Sequence, residues 1–271
     1  MADPVPAAAP ARLQRIAGYF TQVLAVADTE VRKLRHDPSE LLTRALQPAI
    51  WLLLFGQVMA QVRGLGPHNG RYLDFLAPGI LAQSVLFSAI FYGIAAIWER
   101  DLGVLHRYMA SPAPRTALVL GKAASSGVRG LSQASIVYFL AIALGIDISF
   151  SPANILGAAT MIVVGSALFS TFSLIIACIV KTRDRFMGIG QVLTMPIFFA
   201  SNAIYPIDIM PGWLKAISSA NPLTYEVDAL RALMLKGSTS VYGLLTDFAI
   251  LAAFTGLFTI IAARMYPRLT T

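Results

Sequence analysis

A long uncharged stretch at residues 75–98 most constrains how this chain can fold. It contains no Asp, Glu, Lys or Arg, and most of its side chains are apolar. A run of this kind is typical of a helix that crosses a lipid bilayer, which needs about 20 apolar residues. Over the whole chain 56% of the residues are hydrophobic and 13% are charged, whereas soluble domains have roughly 25% charged residues. The sequence therefore predicts an all-α integral membrane protein.

The apolar runs predict six transmembrane helices, at about residues 45–62, 75–98, 130–146, 155–180, 186–205 and 241–263. Together they make a transmembrane domain at 41–265 and leave little of the 271 residues for a soluble nucleotide-hydrolysing module. Sixteen of the 21 Lys and Arg residues lie on one side of this arrangement. Because positive residues stay cytoplasmic, both termini are expected inside the cell. The basic charge thus indicates topology, and it does not point to nucleic-acid binding.

The N-terminal region divides into two parts. Residues 1–11 are rich in Ala and Pro and are predicted to be a disordered tail, without the pattern of a cleavable signal peptide. Residues 12–40 carry an apolar stripe that includes Phe20, which predicts an amphipathic helix on the cytoplasmic membrane surface. Its basic residues lie off that stripe: Arg12, Arg15, Arg32, Lys33 and Arg35. The helix is either a simple anchor or also a docking surface, and residues 266–271 form a cytoplasmic tail.

Two connections between predicted spans are unusual. Residues 99–115 form a charged island that cannot lie in hydrocarbon, so a short water-exposed helix stopped by proline is expected there. Residues 206–240 form the longest connection, an outer hairpin divided by prolines into two short amphipathic pieces.

Signs of catalysis are missing from the sequence. Cys178 is the single cysteine, so a thiol-based metal site is implausible, and no zinc-protease or serine-hydrolase motif occurs. The stretch 116–123 lacks the first Gly and the final Ser or Thr of a phosphate-binding loop. We therefore expect no enzyme activity, metal or cofactor in this chain. Asp247 is the one ionisable residue within a predicted span, and we expect it near the outer interface where water reaches it, as an interfacial carboxylate or a proton or substrate site.

Uncharged polar residues recur within the spans. Small residues at such spacings let helices approach closely, so helix packing is the default explanation. A polar seam for an amphipathic solute is the functional alternative. The candidate path residues are Gln57, Gln83, Gln133, Tyr138, Ser170 and Asn202.

Two motifs resemble those of ABC-2 type permeases, the membrane subunits of ABC exporters. The first places Glu99, Arg100, Gly103 and Leu105 ahead of Ser111-Pro112 and Arg115. The second runs from Pro211-Gly212-Trp213-Leu214 through Asn221-Pro222-Leu223-Thr224-Tyr225 to Asp228-Ala229-Leu230-Arg231. The likeness covers about residues 12–265. It is strongest to the drug-resistance branch typified by daunorubicin exporters, which also includes a nodulation lipo-oligosaccharide exporter.

The resemblance implies a type V exporter fold, in which the permease and the ATPase are separate subunits. The chain would dimerise, as a homodimer or with a sister permease, and would pair with two separate ATPase subunits that bind ATP and Mg²⁺. Residues 99–115 would be the coupling loop that meets the ATPase, through Glu99, Arg100, Gly103, Leu105, Arg107, Tyr108, Met109, Pro112 and Arg115. The outer hairpin would close the translocation route, through Pro206, Pro211, Trp213, Asn221, Pro222, Tyr225 and Arg231.

The expected function is outward, ATP-driven transport of an amphipathic drug, lipid or glycolipid across a bacterial cytoplasmic membrane, as in antibiotic-resistance efflux or lipid export. Three alternatives stay open: a stand-alone secondary transporter or channel, a permease for a polysaccharide or glycolipid precursor, and a membrane enzyme that acts on lipids. The charge-poor spans argue against ion coupling, which needs a buried titratable site.

Overall fold

The computed structural model describes residues 28, 46–61, 71–103, 115–180 and 182–266, and these residues are nearly all helical. Within these ranges the chain forms eight helices: α1 (Leu46–Met59), α2 (Tyr72–Asp101), α3 (Arg115–Ala143), α4 (Pro152–Val180), α5 (Arg183–Phe199), α6 (Gly212–Ala220), α7 (Pro222–Met234) and α8 (Leu244–Met265). A single 3₁₀ turn, Ile207–Ile209, precedes α6. Three of the helices, α2, α4 and α8, are long and apolar enough to cross a membrane.

The third helix is longer than the sequence predicts. It begins at Arg115, whereas the apolar run places the start of this span near residue 130. The extra turns contain a lysine, Lys122, whose charge is compensated by contact with Glu99 of α2. Ser125 and Ser126 are also buried there. The Ser126 hydroxyl donates to the carbonyl oxygen of Ser166 in α4 at 3.3 Å, and the Ser125 hydroxyl donates to Gly121 of its own helix at 3.0 Å. Polar residues can therefore extend the helix because each has a hydrogen-bond or ion-pair partner.

The fifth helix is shorter than predicted. It ends at Phe199, and the chain turns away before residue 205. At this turn the Ser201 hydroxyl donates to the carbonyl oxygen of Phe198 at 2.7 Å and accepts from the N–H of Ala203 at 3.2 Å. These local bonds offer the backbone an alternative to a further helical turn.

The bounds of α2 follow from its sequence. Arg71 is extended, and Asp74 in the first turn places a negative charge where the helix dipole favours it. At the other end Gly103 has φ +71°, a conformation that costs other residues free energy. The Gly103 N–H donates to the carbonyl oxygen of Arg100 at 2.9 Å. A left-handed glycine thus stops α2 just inside the charged island.

Helix α4 lies at the centre of the bundle and packs against α2, α3, α5, α7 and α8. Close approach depends on a small residue at Gly165, because a side chain there would collide with the carboxyl group of Glu226 in α7. Phe169 and Met161 of α4 are almost completely buried. The small and apolar face predicted for this span therefore serves helix packing.

Helix α1 contains a π-helical turn at Trp51–Phe55, in which the Gly56 N–H bonds to the carbonyl oxygen of Trp51. Such turns widen a helix and alter which side chains face its neighbours. The Trp51 ring lies 5.8 Å from the Phe198 ring of α5, in an edge-to-face arrangement. The π turn thus directs a large aromatic side chain from α1 toward α5.

The connections gather at the two ends of the bundle. At the hairpin end, defined by residues 200–243, Ile148 pairs with Leu235 in an antiparallel bridge. Two backbone hydrogen bonds flank this bridge. The Ser149 N–H donates to the carbonyl oxygen of Met234 at 2.8 Å, and the Lys236 N–H donates to the carbonyl oxygen of Asp147 at 3.0 Å. At the charged end, defined by Glu99, Arg100, Asp101, Lys122 and Arg183, the last turn of α2 meets the first turns of α3 and α5.

Candidate functional site

One ion pair at the charged end joins α2 to α3. The Lys122 ammonium contacts the Glu99 carboxylate directly. The Lys122 side chain is 9% exposed and the Glu99 side chain is 24% exposed. A buried ammonium is costly unless a counter-ion accompanies it. Glu99 is therefore needed to keep Lys122 inside the bundle.

A second cluster at the charged end joins α2 to α5. Asp101 accepts from Arg183 at 2.9 Å and from its neighbour Arg100 at 2.8 Å. The Arg183 guanidinium also lies 3.9 Å from the centroid of the Trp98 ring. Arginine suits this double contact because its flat guanidinium bonds carboxylates and stacks on aromatic faces. The end of α2 is thus held from two sides, by α3 and by α5.

The structure locates part of the predicted coupling loop. Glu99 and Arg100 belong to the charged end, Gly103 follows the last turn of α2, and Arg115 is the first residue of α3. The remaining predicted coupling residues lie outside the described ranges: Leu105, Arg107, Tyr108, Met109 and Pro112. The predicted membrane-surface residues lie outside them as well: Arg12, Arg15, Phe20, Arg32, Lys33 and Arg35. The coupling roles of all these residues stay predictions.

Sequence reasoning missed three members of the charged end. Asp101, Lys122 and Arg183 are not among the site residues that the sequence predicts. Asp101 and Arg183 lie beside the ends of predicted spans, whereas Lys122 lies in the polar stretch ahead of the third span. The two residues of each ion pair lie on different helices. Glu99 and Lys122 are 23 positions apart in the chain, and Asp101 and Arg183 are 82 positions apart. Opposite charges close to the ends of successive predicted spans are the one sequence signal that points to such pairs.

The outer hairpin turns at an asparagine cap. The Asn221 side-chain oxygen accepts from the Leu223 N–H at 3.0 Å, and Pro222 occupies the first turn of α7. Both residue types favour a helix start. The Asn221 amide also donates to the carbonyl oxygen of Ile197 in α5 at 2.6 Å. The turn between α6 and α7 is therefore fixed to the end of a third helix.

The two pieces of the hairpin differ in environment. Trp213 of α6 is 67% exposed, in keeping with a place at the membrane surface. Tyr225 of α7 is only 8% exposed, and Glu226 is completely buried. Of the two short amphipathic pieces that the sequence predicts, α6 is therefore largely exposed and α7 is buried. Its buried face packs against α2, α4 and α8.

An aspartate of α7 holds the turn before α8. The Asp228 carboxylate accepts from the N–H of Val241 at 2.8 Å, the N–H of Tyr242 at 3.1 Å and the Ser240 hydroxyl at 2.8 Å. Three donors on one oxygen stabilise a carboxylate in a buried place.

Asp247 lies in the first turn of α8, nearer the helix start than the predicted span implies, and water does not reach it. It is completely buried, and its carboxyl group lies 2.8 Å from the Ser240 hydroxyl. The same hydroxyl contacts Asp228, so one serine bridges two carboxyl groups from α7 and α8. The prediction of a water-accessible interfacial carboxylate is therefore wrong, because the turn at Ser240 covers this helix end.

Arg231 anchors α7 to two other segments. Its guanidinium donates to the carbonyl oxygen of Asn202 at 2.9 Å and lies 3.9 Å from the centroid of the Phe75 ring. A weaker bond reaches the carbonyl oxygen of Phe75 at 3.4 Å. Arg231 therefore joins α7 to the start of α2 and to the turn after α5.

The candidate path residues do not assemble into one route. Gln133 of α3 borders an open cavity, whereas Ser170 of α4 borders a small void beside Lys122. Gln83 is buried, and Gln57 is exposed on α1. Asn202 lies in the hairpin anchor described above, and Tyr138 is half-buried in α3. Across the described ranges, no three His, Cys, Asp or Glu side chains are grouped to hold a metal ion.

Comparison with known proteins gives a consistent family match. The ABC-2 type transporter family model matches residues 21–235. The daunorubicin resistance ABC transporter permease protein DrrB1 of Streptomyces coeruleorubidus is 24% identical over 86% of this chain and 81% of its own length. The ycf38 protein of Cyanophora paradoxa is 29% identical over 74% of this chain and 70% of its own length. The inner membrane transport permease YadH of Escherichia coli is 23% identical over 92% of this chain and 96% of its own length.

Proposed function

Because this chain belongs to the ABC-2 type transporter family, we propose that it is the membrane subunit of an ATP-driven exporter. It works in a bacterial cytoplasmic membrane with six spans and both termini in the cytoplasm. Two copies of a separate ATPase subunit bind ATP and Mg²⁺ and drive transport. This chain pairs with a second permease subunit, which is either identical to it or a sister chain. This chain itself needs no cofactor. Its substrate is an amphipathic drug, lipid or glycolipid, in line with the relative that is named for daunorubicin resistance.

The observation that carries the proposal is the double attachment of the charged end. The last turn of α2 contacts α3 through Glu99 and Lys122, and α5 through Asp101 and Arg183. A soluble partner that moves residues 104–114 would therefore move three helices together. Contiguous networks of charged contacts and rigid helices carry coupling between sites. The proposed orientation places the charged end in the cytoplasm, and the excess of Lys and Arg on that side supports it.

The outer hairpin would act as the closure on the opposite side. α7 is buried between α2, α4 and α8, and Arg231 and Asn221 attach it to segments around α2 and α5. Movement of α2 and α5 at the charged end would therefore reach the hairpin through rigid helices. Small shifts at one end of packed helices can switch a distant contact in this way.

The test is reconstitution of the purified chain in liposomes, with and without the ATPase that co-purifies from its native membrane. Uptake of daunorubicin and of a fluorescent phospholipid into inside-out vesicles is measured. We expect ATP-dependent uptake of at least one compound only when the ATPase is present. An Arg185→Asp variant serves as the control for a change of surface charge, and we expect it to transport normally. Arg185 is exposed beside the charged end without belonging to it. The absence of any ATPase partner together with ATP-independent transport would contradict the proposal.

A second candidate is an ion-coupled transporter that works alone. The observation that favours it is the burial of acidic side chains, since Glu226 and Asp247 are both completely buried. Buried carboxyl groups in membrane proteins often belong to proton or substrate pathways. This candidate requires transport without the ATPase that collapses when a protonophore removes the proton gradient. Glu226→Gln and Asp247→Asn would then abolish it, whereas the exporter tolerates both in ATP-dependent transport.

A further inference from the structure

The Ser240 hydroxyl lies between two buried carboxyl groups at the hairpin end. Its oxygen is 2.8 Å from Oδ2 of Asp228 in α7 and 2.8 Å from Oδ2 of Asp247 in α8. The Gly243 N–H also donates to this oxygen, at 2.7 Å. A serine hydroxyl has one hydrogen and two lone pairs. It can therefore donate to only one of the two carboxyl groups.

The contact with the other carboxyl group needs a second hydrogen. Two ionised carboxylates have none to donate, so one of the two 2.8 Å contacts would bring lone pairs together. If one carboxyl group is protonated, every contact of the Ser240 oxygen is balanced. The oxygen then accepts from Gly243 and from the carboxylic acid, and its own hydrogen is donated to the carboxylate. The geometry thus requires one proton on the carboxyl groups.

The surroundings of the two carboxyl groups indicate which one holds the proton. Asp228 Oδ2 also accepts from the N–H groups of Val241 and Tyr242, and the positive charge of Arg231 on the same helix interacts with this residue. Asp247 is completely buried and contacts only the serine, since Oδ1 of each carboxyl group has no hydrogen-bond partner among the described residues. Donors and a nearby cation favour a charged carboxylate, whereas burial without them favours the neutral acid. The negative charge therefore belongs to Asp228, and the proton belongs to Asp247.

No cation interacts with Asp247 within the part of the chain that the structure describes. Helix α8 packs against α7, α4 and α3. Arg231 of α7 bonds to the carbonyl oxygen of Asn202, and Lys236 in the turn before α8 is exposed. The remaining titratable groups of these elements near the hairpin end are Tyr225, Glu226 and Asp228 of α7, Tyr242 of the turn and Tyr138 of α3, whereas residues 152–165 of α4 include none. An ionised Asp247 would therefore have no counter-ion.

We propose that Asp247 is a proton-binding site and that its proton closes the hairpin end by joining α8, through Ser240, to Asp228 of α7. Loss of this proton to water places two negative charges on one hydroxyl group, and like charges repel each other. The turn at residues 236–243 then separates from α7. Val241 and Gly243 of this turn are exposed, so water outside the bundle can take up and return the proton. The inference goes beyond the proposed transport function, because it concerns bonds within this chain.

Hydrogen–deuterium exchange of the full chain in lipid nanodiscs tests the proposal, with rates corrected for the direct effect of pH on exchange. An aspartate in contact with water has lost its proton at neutral pH. Each opening of the turn therefore releases one proton, so opening should increase about tenfold per unit of pH between about pH 6 and pH 8. We expect this slope at Val241 and Tyr242, whose N–H groups bond to Asp228.

Two asparagine variants make the exchange measurement specific. Asp247→Asn replaces the acid O–H by an amide N–H, which still donates to Ser240 but is not lost at these pH values. The turn should therefore stay closed, and its pH slope should disappear. Asp208→Asn is the matched control, because Asp208 is exposed in the same hairpin, and it should keep the full slope. A slope that persists in Asp247→Asn, or that is missing from the unchanged chain, would overturn the proposal.

Infrared spectroscopy detects the proton itself. An isotope label in the aspartate carboxyl carbons separates the C=O band of a protonated aspartate from any band of Glu226. We expect this band at neutral pH in the unchanged chain and in Asp208→Asn, and its loss in Asp247→Asn. Ser240→Ala removes the acceptor of the proton and should shift the band, which gives a second reading if Asp247→Asn does not fold. Absence of the band from the unchanged chain, or an unshifted band in Ser240→Ala, would contradict the site.

The two measurements are independent of the proposed transport function. Both are made without ATP, an ATPase or a transported compound. A missing pH slope would therefore overturn the proton site and leave the exporter standing. Absence of ATP-driven transport in liposomes would contradict the exporter and leave the proton site standing.

Discussion

The Asp101 carboxylate lies 2.9 Å from the Arg183 guanidinium, which itself lies 3.9 Å from the centroid of the Trp98 ring. The last turn of α2 and the first turn of α5 therefore meet through one ion pair supported by an aromatic face. Both charged side chains are partly exposed, at 34% and 40%. Solvent screens such pairs, so we expect this contact to matter more for coupling the helices than for stability.

Exchange of the two charges tests this contact. Arg183→Asp alone, or Asp101→Arg alone, places like charges together and should lower ATP-dependent transport about threefold to tenfold. The double exchange should restore part of the activity, because the opposite charges face each other again. Arg185→Asp changes the charge of the same helix at an exposed position and should have little effect. Transport by the double variant as poor as by either single one would argue against coupling through this pair.

The pair between Glu99 and Lys122 should contribute to stability, because Lys122 is buried. Glu99→Ala leaves the ammonium without its counter-ion and should lower the free energy of unfolding by about 1–3 kcal/mol. Lys122→Met should cost less, because the remaining Glu99 carboxylate is 24% exposed and can be hydrated. Thermal unfolding in detergent measures both changes. A larger loss for Lys122→Met than for Glu99→Ala would contradict the argument from burial.

Gly103 should be needed for its backbone conformation. Its φ of +71° favours glycine, and no atom of the described residues beyond its chain neighbours lies within 4 Å of the place a side chain would occupy. Gly103→Ala should therefore destabilise the end of α2 by about 1 kcal/mol, and Gly103→Asn by less, since asparagine tolerates this conformation better.

Gly188→Ala is a matched control for this substitution. Gly188 also has open space around it, but it lies inside the helix α5. Alanine in a helix interior is favoured over glycine by about 1 kcal/mol. Melting temperatures of the two alanine variants should thus move in opposite directions. Loss of transport in Gly103→Asn at normal stability would instead indicate direct contact between Gly103 and the ATPase.

Gly165 and Glu226 should be coupled energetically across α4 and α7. Gly165→Ala introduces a methyl group that collides with the Glu226 carboxyl group. We expect a loss of about 1–3 kcal/mol, as for other overpacked sites. Combined with Glu226→Ala, the same change should cost clearly less, because the colliding group is gone. Chemical denaturation of the two single variants and the double variant completes the cycle, and additive losses would show that the two residues are independent.

The sequence predicted the helical class and the family, because long apolar runs and the spacing of the two motifs are local properties. The three helices that are long and apolar enough to cross a membrane, α2, α4 and α8, match predicted spans to within a few residues at most ends. The start of α3 could not be predicted in this way. Lys122 makes its first turns look polar, and its partner Glu99 lies 23 residues earlier on another helix.

The candidate site was predictable only where a residue's role is local. Asn221 and Pro222 have the residue types of a helix start, and the structure places them there. Burial of α7 was not predictable, since Glu226, Asp228 and Arg231 give it the composition of a surface helix. Their environment depends on donors from the turn before α8 and on carbonyl groups of other segments.

The burial of α7 also constrains how the chain is inserted during synthesis. With 13 residues and three charged side chains, α7 is too short and too polar to enter a bilayer by itself. Its place between α2 and α4 must exist before it arrives, and α8, which follows it, must close the remaining side. The last quarter of the polypeptide therefore packs against helices that have already assembled. Truncation after α5 would leave a partly built bundle with an open cleft, of the kind that membrane quality-control proteases recognise.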